Sequence, residues 1–426
     1  MSVYIKSASP RPGNGEMPTP LMLVLVVFLP FAAGYFLSFF YRVVNAVIAT
    51  DLAADLGLSA GALGLLTSAY FLAFAAFQLP LGVMLDRYGA RRIQAALLLV
   101  AAAGSLMFAL SQEMPGLIAG RALIGIGVSA GLMASFKAFV QWFKPQRLPL
   151  INGCLLGFGG LGAITATAPV EFALGFVDWR TVFIWLAFVC VAVGMLIWRV
   201  VPERPVESAS SSLGEQVAAL GTVFRSAWFW RVAPLGAFTM GGTLALQGLW
   251  AGPWLRDVAD LDRSGVAGVL LLIAVALTAG FVTWGLIAER LGRRGIDASW
   301  VVLAGVGMTL VCLLLLVLQP AGWEVPIWML FAFCSTSGTL LYAVVSRSFD
   351  PSLAGRVNTA FNLLVFVGAF GLQWGLGLVI ELWEGPQKQG NAPWGYAVAV
   401  ALLAAAHLCA YVWFATGVLK HGRQAA

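Results

Sequence analysis

The sequence predicts an all-α membrane protein of twelve transmembrane helices, arranged as two pseudo-symmetric six-helix bundles. Three observations lead there. Of 426 residues, 60% are hydrophobic and 10% charged, too little charge to cover a soluble protein of this length. Twelve apolar runs are each long enough to cross ~30 Å of hydrocarbon, which takes about 20 helical residues. One short charged cassette appears twice, 203 residues apart, at corresponding places in the two halves.

The runs fall at about 21–49, 60–81, 93–111, 116–141, 150–172, 181–200, 232–254, 265–288, 298–318, 326–345, 357–380 and 394–417; they are numbered α1 to α12. They are continuously apolar, whereas the strands of a membrane β-barrel alternate over about 10 residues. The expected organisation is an N-terminal tail (1–20), a first bundle (21–200), a linker (201–230), a second bundle (231–418) and a C-terminal tail (419–426). The tail 1–20 is polar and rich in Pro and Gly, and the α1 run is too long for a signal core, so no cleavable signal peptide is expected. Within the linker, Leu213–Phe224 reads as a short helix lying on the membrane surface. The five cysteines fall inside the spans without metal-ligand spacing and read as packing residues. Neither a cofactor nor a metal is expected.

Eighteen of the 25 Lys and Arg fall in segments that share one side with the N-terminus. The positive-inside rule then places both termini in the cytoplasm. The net charge of +6 is accounted for by this asymmetry, so no nucleic-acid partner is expected.

The first cassette follows α2 and reads Gly82-Val83-Met84-Leu85-Asp86-Arg87-Tyr88-Gly89-Ala90-Arg91-Arg92. The second follows α8 and reads Gly285-Leu286-Ile287-Ala288-Glu289-Arg290-Leu291-Gly292-Arg293-Arg294. Glycine permits a tight turn between helices. Asp86 sits where α2 ends, within reach of Arg87, Arg91 or the backbone N–H groups of a neighbouring helix start. Two such hairpins in register fit parallel six-helix repeats.

This pattern resembles the major facilitator superfamily. Its loop signature Gly-x-x-x-Asp-Arg-x-Gly-x-Arg-Arg is matched by Gly82, Asp86, Arg87, Gly89, Arg91 and Arg92, and more loosely in the second copy. A second signature, Arg-x-x-x-Gly-x-Gly in α4, is met by Arg121, Gly125 and Gly127. The resemblance implies secondary transport by alternating access. It assigns a cytoplasmic latch to Asp86 and, less firmly, to Glu289 and Arg290, and relates Arg121 to coupling. Arg121 reads equally well as an interfacial anchor.

Charged groups within spans are functional hypotheses by default, and here they are Arg42, Arg121 and Lys137, with no acid near a span midpoint. That balance favours an anionic cargo. The stretch Tyr41-Arg42-Val43-Val44-Asn45 offers Tyr41, Arg42 and Asn45 as binding candidates, and it resembles the bacterial organic anion:cation symporter branch, where an Arg in the first helix precedes an Asn and holds a carboxylate. A guanidinium fork matches a carboxylate with two parallel hydrogen bonds; the alternative reading of Arg42 is snorkelling toward headgroups. Lys137 divides evenly between cargo contact and snorkelling. The branch's acids beside the first-helix Arg and after Gly-x-Gly are replaced here by Tyr41 and by Val128–Gly131, so uniport, anion exchange and other coupling all stay open. The second bundle adds Gln247, Trp250, Tyr342, Asn358 and Asn362 as cavity-lining candidates, with helix packing as the alternative for each.

The expected protein is thus a monomeric, multi-pass inner-membrane carrier of a small organic anion, working with the lipid bilayer and, if coupled, an ion. Proton-coupled efflux of amphipathic compounds and a transport-inactive sensor are the alternatives. An enzyme is not expected: there is no phosphate-binding loop ending in Gly-Lys-Ser/Thr, and two histidines assemble no hydrolase site.

Overall fold

The computed structural model describes residues 20–144, 147–203, 213–319, 322–350, 353–383 and 393–425, and these are helical throughout apart from short turns. The spans are α1 Leu21–Leu56, α2 Ala60–Tyr88, α3 Ala90–Leu110, α4 Met114–Trp142, α5 Leu150–Leu174 and α6 Trp179–Val200. In the second half they are α8 Arg263–Gly292, α9 Ala298–Leu318, α10 Glu324–Ser346, α11 Gly355–Glu381 and α12 Pro393–Leu419. These eleven are long and apolar enough to cross a membrane. The twelfth, α7, runs over 227–257 and is interrupted by two π-helical stretches, Ala237–Gly241 and Leu246–Trp250.

Span starts follow local chemistry. Ser59, Asp178, Ser226, Asp262 and Asp297 each place a side-chain oxygen on a backbone N–H of the first turn of α2, α6, α7, α8 and α9. Such caps satisfy donors that a helix leaves unpaired. Hydrogen bonds from Thr181 hold the Asp178 carboxyl below its ordinary range, and those from Gly265 and Ser264 do the same for Asp262. The Ser226 cap starts α7 five residues before the expected position. Leu213–Phe224 does form a helix, but it docks on protein: Leu220 and Val223 are buried with Phe229, Val357 and Phe361 of the second bundle.

Packing repeats between the halves. In the first bundle α3 packs on α4 and α6, α1 on α5, and α2 on α4; in the second α9 packs on α10 and α12, α7 on α11, and α8 on α10. Across the seam α2 meets α11, α5 meets α8, and α1 meets α7. Exchanging the halves turns the first of these contacts into the second and returns the third to itself, which is the mark of a pseudo-two-fold axis between parallel repeats.

Candidate functional site

The seam between the bundles has two ends: one carries both basic hairpins, and the other carries the α1–α2 and α7–α8 turns. At the hairpin end, the described ion pairs stay within one bundle. Lys137 Nζ donates to Asp86 Oδ1 at 2.6 Å, joining α4 to α2. Arg91 donates to the Trp198 carbonyl at 2.9 Å and pairs with Glu203, as does Arg92. Glu289 pairs with Arg293 one turn on, and Arg347 with Asp297. Arg290 is exposed.

The expected hairpin contacts are therefore corrected in two respects. The partner of Asp86 is Lys137, because α4 runs beside α2 here while Arg91 is drawn to the end of α6; the latch expected of Asp86 belongs to the state with this end closed, and here the acid stays within its bundle. The second hairpin also departs from the first: Gly89 turns the chain at φ +80°, whereas α8 continues through Gly292 and the positive φ falls at Gly295. With Asp86 and Lys137 half-exposed, their pair contributes at most about 1 kcal/mol to stability. We expect Asp86→Asn to leave the melting temperature and the cargo Kd unchanged while slowing uptake about tenfold, because the latch that the resemblance assigns to this acid forms in the state with this end closed. An unaltered uptake rate in proteoliposomes would remove the latch role.

The opposite end is closed by contacts that cross the seam. Arg263 of α8 forks onto Asp51 of α1 at 2.8 and 2.6 Å and also reaches Glu171 of α5. Arg256 of α7 donates to Thr50 at 2.5 Å. Glu381 of α11 accepts the Gly61 N–H at 3.1 Å, setting a carboxylate on the N-terminus of α2, where the helix dipole favours it. Deeper in, Gln373 donates to Thr67 at 2.7 Å and its carbonyl accepts from the Trp250 indole at 2.9 Å.

Backbones approach closely along this closed half. A Cβ at Gly252 would stand 2.1 Å from the Ala46 carbonyl, and one at Gly377 2.6 Å from the Ala60 carbonyl. A Cβ at Gly160 would stand 2.7 Å from the side chain of Thr278 on α8. The glycines of α5 and α11 thus divide. Gly160 and Gly377 serve the seam, Gly162 packs against Phe36 within the first bundle, and Gly153, Gly157, Gly371 and Gly375 have open space.

Below this seal lies Arg42. Its guanidinium is 4.6 Å from the ring centre of Phe39, 5.5 Å from that of Phe74 and 5.3 Å from that of Phe366. Phe74 and Phe366 stack on each other across the seam at 4.3 Å. Arg42 Nε is buried with no hydrogen-bond partner, as is Asn45 Oδ1. The side chain does not reach a headgroup region; it is held at the seam, within electrostatic range of the Tyr35 and Tyr342 phenols.

The other expected binding residues fall in different places. Tyr41 is fully buried and turned into the first bundle, where its hydroxyl meets Ser105 at 2.6 Å and Cys190 at 3.4 Å. It faces away from the seam because it precedes Arg42 by one residue and points about 100° around the helix. Arg121 is 1% exposed, so it is no interfacial anchor. It sits among Tyr70, Phe108 and Tyr41, with Nε and one terminal nitrogen unpartnered. Lys137 is engaged by Asp86. Gln247 and Trp250 are buried in the second π-helical stretch of α7. Tyr342 donates to Asn362 at 2.6 Å and Ser346 to Asn358 at 2.7 Å, so both asparagines brace α10 against α11. Sequence reading missed the phenyl cage and the closed-end ion pairs. Asp51, Glu171, Arg256 and Arg263 were visible only as charges near span ends.

A sequence model of the Major Facilitator Superfamily matches residues 31–372. The chain is 23% identical to a probable sulfoacetate transporter of Cupriavidus necator over 61% of its own length and 64% of that protein's. It is 27% identical to a nitrate/nitrite transporter of a Picosynechococcus strain over 59% of its length and 51% of that protein's. The chain thus spans less than two thirds of either relative. Its fold matches that of a bacterial homolog to the human lysosomal transporter Spinster in an inward-facing, occupied conformation. The TM-score is 0.75 at 17% identity, with 91% of this chain and 95% of that one covered.

Proposed function

The chain belongs to the Major Facilitator Superfamily, and from that premise we propose that it carries a small organic anion across the bacterial inner membrane by alternating access. The observation that carries this reading is Arg42. A half-buried guanidinium at the seam of two bundles, with an unpartnered Nε and, among the described residues, no carboxylate beside it, is a ready anion site. Relatives named for sulfoacetate and nitrate lend the same sign of charge. With both termini in the cytoplasm, the hairpin end faces the cytoplasm, and the arrangement is an inward-open one. The working unit is a monomer.

A thermal-shift screen of purified protein tests this reading, since a ligand of the native state raises its melting point by mass action. Small carboxylates and sulfonates are expected to stabilise it by several degrees and lipophilic cations not at all. The reverse pattern would favour efflux of amphipathic compounds. The described acids on the spans are engaged by partners near the span ends, leaving none without a partner at the seam to carry a coupling proton. Collapsing the proton gradient in proteoliposomes should therefore leave uptake unchanged, and a large loss would establish proton coupling.

A further inference from the structure

We propose that this protein is an obligate exchanger of singly charged anions, loaded on both legs of its cycle because its empty form does not readily reorient. The inference rests on the anion-carrier reading and extends it to the charge of the cargo and the mode of coupling.

The argument begins with a charge count at the seam. Arg42 is one cation. The other two cations that the sequence places within the apolar runs are committed elsewhere, Lys137 to Asp86 and Arg121 to the interior of the first bundle, while Arg256 and Arg263 at the closed end hold Asp257, Asp51 and Glu171. The acids that approach the seam are committed as well. Asp51 and Glu171 are held by Arg263, Asp257 by Arg256, Asp86 by Lys137, and Glu381 by the start of α2. Among the described residues no carboxylate is left to face Arg42.

Alternating access requires the hairpin end to close over Arg42 before the opposite end opens, and water leaves the site in between. With a monoanion bound, the closed site holds a neutral, hydrogen-bonded pair. A dianion leaves one negative charge uncompensated. An empty site leaves a guanidinium facing the π faces of Phe39, Phe74 and Phe366 and the neutral phenols of Tyr35 and Tyr342, which replace a small part of its hydration. Proton release offers no escape, because a guanidinium keeps its proton in proteins. Only another anion neutralises the site for the return leg.

The test uses the full chain in proteoliposomes with two labelled monoanions, benzoate and glucuronate. Vesicles preloaded with the same unlabelled anion should take up label at least about tenfold faster than vesicles without it, because only the loaded carrier escapes the desolvation penalty. Exchange should not respond to a potassium–valinomycin potential, since one charge enters as one leaves. Succinate, a dianion, should compete at least about tenfold more weakly, for the same reason of uncompensated charge. Equal rates with and without preload would overturn exchange while leaving the anion-carrier reading standing. Equal competition by succinate would overturn the charge count. If neither monoanion moves in either vesicle set, the anion-carrier reading falls and exchange falls with it.

A second measurement needs no cargo. Spin labels at Tyr88→Cys and Ile296→Cys, both exposed at the hairpin end, report its opening once the exposed Cys154 and Cys409 are made serine. Without ligand, the wild-type background should show one open distance. Adding Arg42→Gln should populate a closed one. A ligand-free wild type already split between both distances would overturn the proposal.

Discussion

Arg42→Gln is expected to abolish detectable anion uptake in proteoliposomes and to erase the thermal shift given by carboxylates. Among the described residues at the seam it is the positive charge that no carboxylate holds, so its removal leaves a buried anion facing phenyl rings and an amide. Truncating one partner of a buried, hydrogen-bonded charge pair costs about 2–5 kcal/mol, which is roughly thirtyfold or more in affinity. Arg42→Lys keeps the charge but loses the planar fork and its stacking on the three rings, and should weaken binding about tenfold. The pair separates charge from geometry. Uptake unchanged in both variants would remove Arg42 from the site and return it to a packing role.

The second large effect is expected at Gly252, which touches no cargo. Its Cβ position lies 2.1 Å from the Ala46 carbonyl oxygen, a backbone atom, and a Cβ is fixed by its own backbone, so no rotamer change relieves the overlap. Gly252→Ala should force α7 from α1 at the closed end of the seam. Overpacking of this kind costs about 1–3 kcal/mol, and here it falls on one conformation only. The balance between the two states should shift toward hairpin-end closure by roughly fivefold to a hundredfold, with slower uptake as the carrier lingers there. The same spin-label pair at positions 88 and 296 reads that shift. An unchanged distance distribution would mean that the closed-end glycines are passive packing.

These two residues also show where sequence reading reaches its limit. Arg42 stood out in the sequence because a charge within an apolar run is costly unless it has work there. Its neighbour Tyr41 was grouped with it, yet one residue along a helix is a different face, and Tyr41 belongs to the interior of the first bundle. Gly252 had no distinguishing signal among 48 glycines. Lys137 and Asp86 were assigned to separate roles, although they meet at 2.6 Å. They lie 51 residues apart, and nothing local in either segment specifies the other.

The closed-end latch makes the same point more strongly. Arg263 finds Asp51 212 residues away and Glu171 92 residues away. Each acid lies near a span end, which is where water and headgroups keep charges.

The sequence by itself determined the membrane class, the number of spans, the doubling of a six-helix unit and the one charge that membrane physics makes conspicuous. Those features follow from composition and local periodicity, because the bilayer charges every residue by its depth whatever its distant neighbours are. Only the tertiary structure decided which end of the seam is shut, which acids are already engaged and that Arg42 faces phenyl rings with no carboxylate at hand among the described residues. Those outcomes depend on pairings across 50 to 300 residues and on which state of a two-state seam the chain occupies, and neither is written in any single segment.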